Sequence, residues 1–322
     1  MVFRIRTLGT LFATGLAAAV LPANAAYPEK PVRLVVPSPA GGGIDAIARL
    51  MAQRLADTGV QFVVENRGGA GGNIGTEFVA RAVPDGYTLL MAGSQLVANP
   101  TLYGKVGYDP VKDFEPISLL ALAPNVLVVH PSMPVHSVRD LIALAKAKPG
   151  EVTFAGAGPG STPHLAGELF AMLSGVKMVH VAYRGTGPAV TGIMGGEVPL
   201  MFMTATTAMP LVRAKRVRAV AVTSAKRIAA APEIPTIAES GLGDYQSAQW
   251  YGLLAPAGVP AEALDFMVVR ASRFVLAPDV SQRLMDDGAV PVGSTRQSFA
   301  AFIRSEFTKW AEVIQRSGAK SG

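Results

Sequence analysis

The sequence predicts an α/β protein made of two doubly wound units, one inserted into the other. Three observations carry this. Strand-like and helix-like patterns alternate from Tyr27 to about Val222, the alternation restarts after residue 116, and apolar crossings near 117–128 and 219–230 bracket the second set. Strands that alternate with helical patterns form parallel sheets covered by helices.

In chain order, Val32–Val36 (VRLVV) is a buried strand, Gly41–Gly43 a loop, and Asp45–Ala56 a helix with Ile47, Leu50, Met51 and Leu55 on one face. A strand over 62–65 runs into the glycine loop GGAGGNIG, then a helix from about Thr76 to Ala82, a strand over 87–92 and a Pro/Tyr/Gly-rich passage to Asp109. The second set opens with ISLLALAPNVLVVH, a long strand bent at Pro124, followed by a Ser-capped helix over 137–147 and a strand over 152–154. Strands near 179–183, 198–203 and 217–223, with a helix near 188–194, complete it; AAAPEIP is a crossing segment. A strand over 250–254 and helices near 261–276, 279–286 and 298–316 end the chain. The predicted division is 26–121 plus 228–322 for the first lobe and 122–227 for the second.

The N-terminus predicts export. Arg4 and Arg6 precede a mostly apolar stretch from Leu8 to Leu21, and Ala23-Asn24-Ala25 supplies a small-x-small cleavage signature before Ala26. About 14 apolar residues fall short of the ~20 that span a bilayer. Residues 1–25 are thus expected to be a signal peptide, and the mature protein to work in the periplasm. The chain has no cysteine, so an exported form relies on its core and not on disulfides. Its formal charge of +6 becomes +4 without Arg4 and Arg6 (27 basic against 23 acidic residues). The run RAKRVR flanks a strand-like segment and fits a solvated helix end better than a nucleic-acid patch.

Residues 151–170 (EVTFAGAGPGSTPHLAGELF) are the most informative. A β-type run breaks into a loop with Gly156, Gly158 and Gly160, and Ser161, Thr162 and Pro163 open a helix. Such an N-terminus can hold a carboxylate or phosphate, or be no more than a capped turn. Without a lysine the P-loop pattern fails, and GxGxG is not the dinucleotide GxGxxG. Other strand-end loops (38–43, 93–95, 184–186, 204–207) are likewise small and polar, and in open α/β sheets they face one cleft. His164 fits a packed, hydrogen-bonded residue or a ligand contact, Arg184 a carboxylate fork or a cleft-rim charge, and Asp45 a first-turn carboxylate favouring the dipole or a ligand contact. Trp250 and Tyr251 are expected to be half core and half cleft wall, and the methionines at 194, 201, 203 and 209 core. His130, His136 and His180 show no metal-ligand spacing. No serine has glycine at both −2 and +2, and Ser161 lies too near His164 in sequence to use it as a base, so an exported hydrolase is disfavoured.

The segments PVRLVVPSPAGGGIDAIAR, VVENRGGAGGNIGTEFVARAVPDGYTLL, NPTLYGKVGYDPVKDFEPIS, GSTPHLAGELF, HVAYRGTGPAV and VRAVAVTSAKR resemble the Bug family, the periplasmic solute receptors of tripartite tricarboxylate transporters. The resemblance runs from about Tyr27 to the C-terminus. It implies a type II periplasmic-binding-protein fold: two Rossmann-like lobes, two crossing strands and a small mono- or dicarboxylate in the cleft, with ordered waters taking part. It also implies a monomer without a cofactor that delivers its ligand to membrane transporter subunits; a receptor signalling to a membrane kinase would use the same cleft. The matched positions are Ser38, Ala40, Gly41 and Gly42, then Ser94 and Gln95, in the first lobe. The second lobe adds Gly158, Gly160, Ser161, Thr162, Tyr183, Arg184, Gly185 and Thr186. Thr204 and Ala205, with Gln249 and Trp250, would read the distal end. Three positions depart from the family: Ser38 stands where an aromatic is common, Pro199 where an acid is usual, and Met203 where Asp or Gly is frequent. Pro199 should shorten its strand or mark its edge. Losing an acid near the pocket disfavours an amino acid as ligand.

Overall fold

The computed structural model describes residues 27–320. The first sheet is built from β1 (Val32–Val36), β2 (Phe62–Asn66), β3 (Thr88–Ala92), the first part of β4 (Phe114–Val129) and, late in the chain, β9 (Ala248–Pro256) and β10 (Val290–Pro291). The second sheet uses the rest of β4 with β5 (Thr153–Gly156), β6 (Val179–Ala182), β7 (Leu200–Thr204) and β8 (Arg218–Val222). The helices are α1 (Gly43–Ala56), α2 (Asn73–Ala80), α3 (Gln95–Tyr103), α4 (Val138–Ala147), α5 (Thr162–Ser174), α6 (Thr186–Met194), α7 (Ala205–Arg213), α8 (Ala261–Leu276), α9 (Pro278–Asp286) and α10 (Arg296–Ser317). The expected signal peptide lies outside the described residues.

Strand order is β2-β1-β3-β9-β4 in the first lobe and β6-β5-β7-β4-β8 in the second. In each, three parallel strands adjoin an antiparallel crossing strand, so both lobes repeat one topology. β4 serves both. It pairs β9 as far as Pro124↔Ala248 and takes up β7 from Asn125↔Thr204, so the chain changes lobes at the proline without leaving the strand. The predicted bend is thus a switch between sheets.

The second crossing comes later than expected. Ile228, Ala231 and Ile234 are buried with Val126, Met203 and Ala208 in the second lobe's core, and the chain re-enters the first sheet at Ala248, not near 228. Thr223, fully buried, ties the two passages together. Its hydroxyl receives the Asn125 N–H at 2.7 Å and lies 2.6 Å from the Ser247 carbonyl it donates to.

Apolar burial follows the layers. One cluster lies under α1, α8 and α9 on the first lobe, and another under α6 and α7 on the second. The third spans both lobes: Leu90, Leu96 and Trp250 pack with Phe154, Phe170 and Phe202 through Phe299, Ile303 and Trp310 of α10. Among the described residues no helix is long and apolar enough to cross a membrane.

Candidate functional site

A cavity of about 790 Å³ opens between the lobes at the carboxyl ends of the parallel strands. Parallel βα units begin their helices at this end, so six helix N-termini border it: α1, α2 and α3 from the first lobe, α5, α6 and α7 from the second. Each brings unpaired N–H groups and partial positive charge. Among the described residues lining the cavity there is no Asp, Glu, Lys, Arg or His. An anion here meets dipoles, hydroxyls and amides, not a counter-ion.

Of the expected site residues, Ser38, Gly41, Gly42, Ser94, Gln95, Gly160, Ser161, Thr162, Thr186, Thr204 and Gln249 line the cavity. Ser38, the residue that departs from the family pattern, lines the cavity, but its Oγ is buried beneath the surface without a hydrogen-bond partner in the chain. Seven others do not line it. Trp250 has no exposed surface and stacks edge-on to Phe299 and Phe302, because alternation along β9 turns Gln249 and Tyr251 to the cleft and Trp250 to the core. Ala205 is buried in the second lobe's core. Tyr183 packs over Gly192 and donates to Glu197 at 3.2 Å. Arg184 and Ala40 point to solvent, Gly185 caps α6 and Gly158 supports the turn from behind. Met201 and Met203 both lie in the second lobe's core, and Met201 also borders the cavity. Pro199 marks the edge of β7 as expected, with its carbonyl still receiving the His130 N–H.

The structure adds Ile44, Gly71, Gly72, Asn99 and Tyr103 to the lining, and Tyr251 is half core and half cleft wall as expected. The glycine loop at 68–75 was visible in the sequence, but its convergence on the cleft was not. Tyr251 Oη is 2.5 Å from where a Cβ on Gly43 would stand, so any larger residue there would displace the phenol. Burial pushes the Tyr251 phenol up to about 12, with Asp287 adding to the effect, so it stays a donor at neutral pH beside the start of α1.

Two turns border the cavity, one from each lobe. The first is anchored by Asp45, almost fully buried behind the loop. Its carboxylate accepts from the Gly41 N–H at 2.8 Å, Arg49 Nε at 3.0 Å and Asn66 Nδ2 at 2.9 Å. The Arg49 bond, followed by those from Gly41 and Asn66, holds its pKa down to about 2. Asp45 is therefore structural, and Asn66 also closes the turn through the Ser38 carbonyl. In the second turn Ser161 does not cap α5 with its side chain as expected; its hydroxyl donates to the Gly158 carbonyl at 2.7 Å. His164, inside the first turn of α5, reaches back to the loop instead, its Nδ1 accepting the Gly160 N–H at 3.0 Å. Buried His164 stacks on His180 with ring centroids 3.9 Å apart, a pairing that no sequence spacing announces. A second concavity, about 580 Å³, lies at the amino ends of the first-lobe strands between Lys30, Arg33 and Arg81, away from the cleft.

A family model for the tripartite tricarboxylate transporter family receptor (TctC) matches residues 46–319. The chain belongs to this receptor family. Its members are periplasmic solute-binding proteins, not enzymes. This chain is 35% identical over 319 residues to Protein BugT of Bordetella pertussis, covering 98% of each. It is 38% identical over 291 residues to the UPF0065 protein in the tcbD-tcbE intergenic region of Pseudomonas sp. (strain P51), covering 90% of this chain and 87% of that protein. Among solved structures, Rpa4515 of R. palustris with adipate superposes with a TM-score of 0.79 at 37% identity, covering 91% and 98% of the two chains. MatC of Rhodopseudomonas palustris with bound malate gives 0.76 at 31%, covering 89% and 100%. The fold is thus that of the family's two-lobed receptors, as the resemblance implied.

Proposed function

We propose that this TctC-family receptor captures a small mono- or dicarboxylate between its lobes and delivers it to membrane subunits of a tripartite tricarboxylate-type transporter. The observation that carries the proposal is a cleft with six helix N-termini and no charged side chain. Such a site favours a compact anion, because backbone N–H groups satisfy carboxylate oxygens without a buried cation to desolvate. Adipate and malate in the two R. palustris relatives support the same ligand class. Ser38, Gly41, Gly42, Ser161 and Thr162 frame the carboxylate; Thr186, Thr204 and Gln95 face the rest of the molecule. Export through residues 1–25 with cleavage before Ala26, and function as a monomer, belong to the same proposal.

The test is thermal unfolding of ligand-stripped mature protein against a library of carboxylates. A ligand at a hundredfold excess over Kd should stabilise the fold by about 2.7 kcal/mol. A library without a single shift, or chemical turnover of a bound acid, would refute the proposal.

A further inference from the structure

The lobes meet at one hydrogen-bond hub in the cleft floor. Gln249, in register with Ala123 of β4, donates its Nε2 to the Trp250 carbonyl at 3.0 Å, which leaves its Oε1 toward the cleft. That oxygen accepts from Ser94 Oγ at 2.7 Å and from Thr162 Oγ1 at 2.8 Å, and the two hydroxyls are 3.4 Å apart. Ser94 precedes α3 in the first lobe and Thr162 opens α5 in the second; both are buried. One amide oxygen therefore holds a hydroxyl from each lobe.

Each hydroxyl has a single hydrogen, so while both point at Gln249 neither can donate to an anion. A carboxylate at the starts of α3 and α5 is a stronger acceptor than a neutral amide. We propose that Gln249 is a positioning residue for lobe closure: it latches Ser94 to Thr162 in the ligand-free protein, and an anionic ligand takes over the two hydroxyl hydrogens. The hand-over rests on the carboxylate reading of the cleft, whereas the latch stands without any ligand. Gln249, expected from the resemblance to touch the distal end of the ligand, acts instead through the two hydroxyls. Part of the closure is made before the ligand arrives, so the lobes are biased toward the binding-competent arrangement.

The absence of cysteine makes the test direct. Gln53→Cys and Arg213→Cys, both exposed and one on each lobe, carry a pair of spin labels for interlobe distances in the ligand-stripped protein. Gln249→Met keeps the length of the side chain without the acceptor; Ser94→Ala with Thr162→Val removes the two donors. Both variants should move the distance distribution to longer values by the same amount, and the triple variant should add nothing further, as one shared interaction requires. Distributions that match the unsubstituted protein in both would overturn the latch, as would a shift in Gln249→Met alone, which marks packing. If no carboxylate binds in the thermal screen, the ligand reading fails while the ligand-free distances still decide the latch. Where one does bind, it should restore the short distance in Gln249→Met, which keeps both hydroxyls, and not in Ser94→Ala with Thr162→Val, which lacks them; failure in Gln249→Met would overturn the hand-over.

Discussion

Asp45 shows how a buried charge serves a cleft that contains none. It lies behind the first loop and spends its oxygens on Gly41, Arg49 and Asn66, so the loop's other N–H groups keep their orientation. Asp45→Asn should lose about 1–3 kcal/mol in urea unfolding, since a charged acceptor is replaced by an amide that must donate where donors already point. Its carboxyl is depressed in the fold, so its stabilisation is complete above about pH 4 and drains away as pH falls toward 2. His180 acts in a higher window. Burial, then the neighbouring His164, holds its pKa down to about 4 against about 6.5 unfolded. Stability from the neutral ring is full above about 6.5 and is lost as pH drops to 4. His180→Phe keeps a ring against Phe154 and should flatten urea midpoints across that window; an unchanged slope would locate the titration elsewhere.

At the scale of elements, most of the fold was legible, because buried parallel strands and glycine-rich strand ends leave plain patterns. Two helices were not. α3 and α7 each carry a proline at their sixth residue, Pro100 and Pro210, and an interior proline reads as a breaker. Tertiary packing overrides it: Leu96, Val97 and Leu102 of α3, and Ala205, Ala208 and Met209 of α7, are buried. Cavity-lining residues were legible where they belong to strand-end loops, as with Ser161 and Thr162. They were illegible where only packing decides direction: Trp250 turns inward while Gln249 and Tyr251, one residue away on either side, face the cleft. Gly75 belongs to this scale. A Cβ there would stand 2.5 Å from the Arg67 carbonyl and 3.0 Å from Pro37 Cα, both backbone, so α2 must ride away from β1. Gly75→Ala should cost about 1–3 kcal/mol and weaken binding of the proposed carboxylate, both readable in one calorimetric series.

Across the whole molecule, the chain passes between the lobes beside Pro124 and Thr223, and the lobes share a continuous core beneath α10, which packs on both α3 and α5. Trp310, fully buried with its indole N–H on Glu306 at 2.8 Å, sits in that shared core. Trp310→Ala should lose about 3–5 kcal/mol, and circular dichroism and fluorescence should still report one coincident transition, because neither lobe keeps a complete core alone. Separate transitions would mean that the lobes are independent folding units. The uncharged lining of the cleft has a consequence beyond selectivity. Ion pairs at an open surface weaken as electrolyte rises, whereas fixed dipoles that enclose a small anion act over a few ångströms inside the screening length of about 10 Å at 0.1 M salt. If the cleft holds a carboxylate as proposed, its affinity should therefore stay nearly constant whether the water outside the cell is fresh or briny.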